Sequence, residues 1–116
     1  MRCKRGDIVL ALFPNSALQT AKKRPVLIVQ ASDLNTGLSQ RVVAMVSSNM
    51  ARAGHPSRVK VSINTSEGKK TGLLCDSVIM TDNLATILEN ELDRVIGHMD
   101  RMDAVDAALC STLGLK

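Results

Sequence analysis

Few side chains in this chain offer bond-breaking or ligand chemistry, and their spacing narrows what that chemistry is. Cys3, Cys75, Cys110, His55 and His98 are its only thiols and imidazoles. They form no CxxC and no closely spaced Cys/His pair, so no metal site is expected. Three scattered cysteines suit free thiols in a reducing cytoplasm better than a disulfide framework. His55 has an ordinary pKa of about 6.5, suited to proton transfer. It stands in a polar loop before Pro56, where a solvated histidine is the plainer reading. His98 reads as structural. Lys22, Lys23 and Arg24 form a basic triplet ahead of Pro25.

Charge is divided unevenly along the chain. Net charge is +4, but residues 1–75 hold 12 basic and 3 acidic residues, and residues 76–116 hold 3 and 8. One reading is a basic surface that meets a polyanion. The other is a basic half neutralised by its own acidic tail. Phe13 is the sole aromatic residue. Nucleic-acid modules that stack bases on aromatic platforms are therefore disfavoured.

The elements that must position these residues are short. The 116 residues suit one domain spanning 1–116, and 45% hydrophobic with 22% charged residues is a globular composition. No apolar run reaches membrane-spanning length, and no signal-peptide apolar region follows the basic N-terminus. Strand-like runs occupy Ile8–Phe13, Pro25–Gln30, Arg41–Val46 and Arg58–Ile63. Further strands are expected over Gly72–Met80, Leu84–Leu88 and Arg94–Met99. Asn64–Lys70 reads as a charged turn and Glu89–Leu92 as a helical turn. A final helix is expected with Asp100 as cap, Asp103 in its first turn and Gly114 as stop. Met102, Val105, Leu109 and Leu113 would share its apolar face. Many short strands with one helix favour a mainly β fold, a strongly bent sheet or barrel with the helix packed on it.

Several segments, in order, resemble the MazF/PemK family of toxin–antitoxin toxins. They are Arg5-Gly6-Asp7-Ile8-Val9, Arg24-Pro25-Val26-Leu27-Ile28-Val29, Val43-Ala44-Met45-Val46-Ser47-Ser48 and Gly72-Leu73-Leu74-Cys75-Asp76-Ser77. Ile96-Gly97, Ala107-Ala108-Leu109 and Leu113-Gly114-Leu115 continue the likeness to the C-terminus. The resemblance implies an SH3-like small β-barrel with a C-terminal helix, of the fold type shared with CcdB. It implies a cytoplasmic homodimer that cuts single-stranded mRNA without metal or other cofactor. A cognate antitoxin would silence it with a disordered acidic and apolar segment.

The resemblance also implies roles for particular residues. Arg24 corresponds to an arginine that stabilises the charge growing on phosphorus oxygens, a task suited to a permanently charged, bidentate guanidinium. Ser47 corresponds to a phosphate-binding Thr/Ser, although a turn-capping serine is an equal reading. Many relatives carry a glutamate where this chain has Gln19, and an amide cannot act as base. Asp76 is the substitute base to consider; the arginine that accompanies it in one branch is replaced by Leu74. Lys22, Lys23, Gln19, Ser48, Arg52 and His55 are candidate RNA contacts. The loops 14–23 and 48–57 would form the groove. Two rivals remain at this point: a CcdB-like poison of DNA gyrase, and a catalytically silent relative, which Gln19 supports.

Overall fold

The computed structural model describes residues 3–13 and 22–115. Its strands are β1 (Asp7–Phe13), β2 (Lys22–Ile28), β3 (Gln40–Ser47), β4 (Arg58–Val61), β5 (Ser77–Leu88) and β6 (Leu92–His98). Two helices, α1 (Ser66–Lys70) and α2 (Met102–Leu113), and a 3-10 turn at Glu89–Glu91 complete the described elements. All strand pairs are antiparallel, in the order β4-β5-β3-β2-β1-β6. The outer strands β4 and β6 do not pair, so the sheet is curved but open. The mainly β fold with a C-terminal helix is as expected, and the small barrel that the resemblance implies is approximate because the sheet does not close.

Strand alternation gives the sheet two apolar faces. Ile8, Leu27, Ala44, Val46, Val59, Val61 and Ile79 pack with Val105 and Ala108 of α2. Val9, Ala11, Val26, Ile28, Val43, Met45, Ile87 and Leu92 pack together on the other face. Burial on both faces explains the unbroken apolar runs of β1, β2 and β3.

Three expectations are corrected. Gly72–Asp76 is not strand, and the two expected strands around Thr81 are one long β5. Its pairing with β3 jumps from Met45↔Met80 to Ala44↔Leu84, leaving residues 81–83 as a bulge that bends the sheet. Buried Thr81 sits at that bend, donating to the Ser57 carbonyl at 2.6 Å and meeting Thr112 of α2 at 2.8 Å. Second, Asn64–Lys70 contains helix α1, because Thr65 Oγ1 accepts the Gly68 N–H and caps it. Third, α2 is entered at Arg101, not capped by Asp100, whose carboxylate pairs with Lys70 at 2.9 Å. Gly114 does end the helix, at φ 71°. Met102, Val105 and Leu109 do pack against the sheet, joined by Ala108, while Leu113 is 55% exposed and leaves the expected apolar face.

The Arg5-Gly6-Asp7 opening is a clamp. Arg5 Nε donates to the Val29 carbonyl at 2.9 Å, and its guanidinium pairs with Asp106 of α2. Gly6 donates to Ile28 and accepts from Met99. Asp7 accepts the Lys4 N–H and faces His98 at 3.3 Å, which gives His98 its structural place.

Candidate active site

Helix α2 covers only part of the face it packs on. Beyond it, a cleft of about 390 Å³ opens between β1, β2, β3, β6 and the Gly72–Cys75 loop. Leu10, Pro25, Leu73, Leu74 and Ile96 make it mostly apolar, while Arg24, Arg94, Ser47, Ser48 and Ser77 supply the polar groups. The register explains the gathering. Leu10 stands opposite Pro25 on one side and Arg94 on the other. Directly opposed residues share a face, so all three belong to the cleft. Arg24 is opposite Ala11 and alternates to the other face, meeting the cleft at its margin.

The loop wall is held by close backbone approach. A Cβ on Gly72 or Gly97 would collide with the backbone of Ile96 or of Lys70 and Thr71 respectively. Gly72 also has φ +73°, a conformation that favours glycine. These two glycines let the loop lie directly on β6 and present Leu73, Leu74 and Cys75 to the cleft.

Arg24 and Arg94 are exposed, and neither has a carboxylate partner among the described residues. Ser47 Oγ accepts the Asn49 N–H at 3.0 Å, capping a turn at the end of β3. That bond leaves its O–H free to donate into the cleft. Ser47 also borders a second hollow of about 210 Å³, lined by Asn49, Ala51, Arg52, Arg58 and Met80.

The remaining sequence candidates are placed differently. Asp76 does not line the cleft; its Oδ1 accepts the Ile63 N–H at 2.9 Å. Arg52 lies on the far side of Ser47. His55 Nδ1 accepts the Ser57 N–H at 3.1 Å and lies 2.7 Å from Ser57 Oγ, closing a local turn outside both hollows. Lys23 pairs with Asp93 at 3.1 Å. Arg58 makes a two-point bond to Asp82, which holds that carboxyl below its usual range. Lys22 opens β2, and Gln19 lies outside the described residues, as does most of the expected 14–23 loop. Among the described residues no carboxylate or imidazole lines the cleft, and there is no cluster of three potential metal ligands.

The sequence pattern of the PemK-like, MazF-like toxins of type II toxin–antitoxin systems matches residues 4–113. The chain belongs to that family. It is 33% identical over 118 residues to endoribonuclease EndoA of Bacillus subtilis (strain 168), covering 99% of this chain and 97% of that protein. Among solved structures it is similar to the Mycobacterium tuberculosis toxin MazF-mt6, with TM-score 0.73, 26% identity and coverage of 95% and 98% of the two chains. A mycobacterial endoribonuclease solved with its cognate antitoxin shares the fold, with TM-score 0.76, 21% identity and coverage of 99% and 98%.

Membership of the PemK/MazF family favours the nuclease reading over a gyrase poison. Sequence reading did not find Arg94, Leu10 or Ser77 as cleft residues. Arg94 carried no local signal, because its place depends on β6 pairing with β1 across more than eighty positions of chain.

Proposed function

We propose that this chain is a toxin endoribonuclease that cuts single-stranded mRNA within short sequence motifs and is neutralised by a cognate antitoxin. The observation that carries the reading is the family match over residues 4–113, joined to full-length likeness to an endoribonuclease. The RNA's own 2′-OH attacks the adjacent phosphorus. The O2′–P bond forms, the P–O5′ bond breaks, and the products are a 2′,3′-cyclic phosphate and a 5′-OH. This route needs no metal. Arg24 donates to the non-bridging oxygens as their charge grows. The free Ser47 O–H donates to the same phosphate. The 2′-OH proton leaves to a base that the described cleft lining does not supply, and the departing O5′ takes up a proton from solvent to become the 5′-OH. Three free cysteines suit a cytoplasmic protein, and the family likeness supports a homodimer.

The test uses purified protein, a long single-stranded RNA and EDTA. Wild type is expected to leave discrete fragments ending in 2′,3′-cyclic phosphate. Arg24→Ala is expected to cut at least roughly a hundredfold more slowly, the scale of losing one charged transition-state donor, with an unchanged melting temperature. Equal cutting by both proteins would sink the assignment of Arg24.

A further inference from the structure

We infer that Arg94 is a second phosphate-binding guanidinium, gripping the RNA backbone across the cleft from Arg24. The inference rests on the endoribonuclease reading and adds a residue to its substrate grip.

Arg94 is set opposite Leu10 on the face that forms the cleft, and Leu10 is set opposite Pro25. The row Arg94–Leu10–Pro25 therefore spans β6, β1 and β2, and Arg24, immediately before Pro25 on β2, reaches the margin of the same cleft. A β-bulge lies between Leu10 and Ala11, where β6 passes from Arg94 to Leu92 with Asp93 unmatched. The extra residue separates the roles of neighbours. Asp93 is engaged by Lys23 at 3.1 Å. Arg94, one position on, is left exposed and without a carboxylate among the described residues.

Freedom from an internal partner is informative in this molecule. Arg5, Lys23, Arg41, Arg58 and Lys70 each pair with a carboxylate. Among the described residues Lys4, Arg52, Lys60 and Lys69 also lack a carboxylate partner, but of the unpaired bases Arg24 and Arg94 are the two that border this cleft. The cleft they border is walled by Leu10, Pro25, Leu73 and Ile96 and holds no carboxylate among the described residues. Aliphatic walls fit the face of a nucleobase. Two separated guanidiniums fit successive phosphates of an extended strand, because each can donate in a two-point fork to phosphate oxygens.

The test measures binding apart from cleavage. A fluorescent 2′-O-methyl oligoribonucleotide lacks the attacking hydroxyl and stays intact. Its affinity for wild type, Arg94→Gln and Arg94→Lys is measured over a series of KCl concentrations. Removing one phosphate contact should lower the slope of log affinity against log salt by about 0.7. It should weaken low-salt binding about tenfold, the value of one charge-assisted bond. Arg94→Lys should keep the wild-type slope. A purely structural arginine would not move the slope, and Arg94→Ala checked by circular dichroism provides a second removal. If wild type cuts RNA but Arg94→Gln keeps its slope and affinity, the inference about Arg94 falls alone. If wild type neither binds the probe with salt dependence nor cuts RNA, the endoribonuclease reading falls and takes Arg94 with it.

Discussion

Asp76 shows why a residue's type does not settle its work. Its carboxylate accepts the Ile63 N–H and so ties the start of β5 to the end of β4. An amide oxygen accepts the same bond but cannot take up a proton. Asp76→Asn is therefore expected to retain both melting temperature and RNA cutting, while Asp76→Ala loses about 1–2 kcal/mol. Thermal melts and a cleavage assay on the two variants check this. Loss of cutting in a fully stable Asp76→Asn would instead make Asp76 the base. Ser47 poses the converse case, since one atom both caps a turn and borders the cleft.

Among elements, the decisive contact is the Lys70–Gly72 segment lying on β6. Gly68, Gly72 and Gly97 each occupy a place where a Cβ would strike backbone. Backbone cannot rotate away as a flexible side chain does. Gly97→Ala is thus expected to destabilise the protein by about 1–3 kcal/mol, the usual range for overpacking. It should also displace the Leu73–Cys75 wall and lower cleavage more than stability alone explains. Denaturant titration with cleavage rates measured well below the transition separates the two effects. Wild-type activity in a stable Gly97→Ala would show that this packing does not shape the cleft. The Ile96-Gly97 pair was visible in sequence, but the loop it meets was not.

Across the whole molecule, the uneven charge finds its explanation in pairing. Arg5–Asp106, Lys23–Asp93, Arg41–Glu89, Arg58–Asp82 and Lys70–Asp100 each join a base from residues 1–75 to an acid from 76–116. The acidic tail neutralises much of the basic half, and Arg24 at the cleft is among the bases that have no carboxylate partner among the described residues. The ion pairs support the reading of a basic half neutralised by its own acidic tail. The Arg58 hydrogen bond lowers the Asp82 pKa, and the Lys70 hydrogen bond lowers that of Asp100. A carboxyl lowered in the fold stabilises above its unfolded value of 3.8, and the contribution disappears as pH falls through the lowered value. Wild type should lose melting temperature below that pH. Asp82→Asn should start lower at pH 7 and lose less on acidification. Parallel acid-induced losses in the two proteins would remove Asp82 from the account. The expected differences are small, because these pairs are largely solvent-screened.

The sequence by itself determined the strand-rich architecture, the C-terminal helix with its Gly114 stop, and the Arg24 and Ser47 candidates. Those features are local: apolar runs, a helical period, a glycine at a left-handed position, and short ordered motifs. The tertiary structure alone decided that β5 is one bent strand, that the sheet stays open, and that Asp100 serves Lys70 instead of α2. It also decided that Arg94 shares a cleft with Arg24 while Asp76 and His55 turn to backbone partners. These outcomes depend on register between distant strands. A shift of one residue exchanges the faces of a strand, and no local pattern in β6 reports which residue of β1 it will meet.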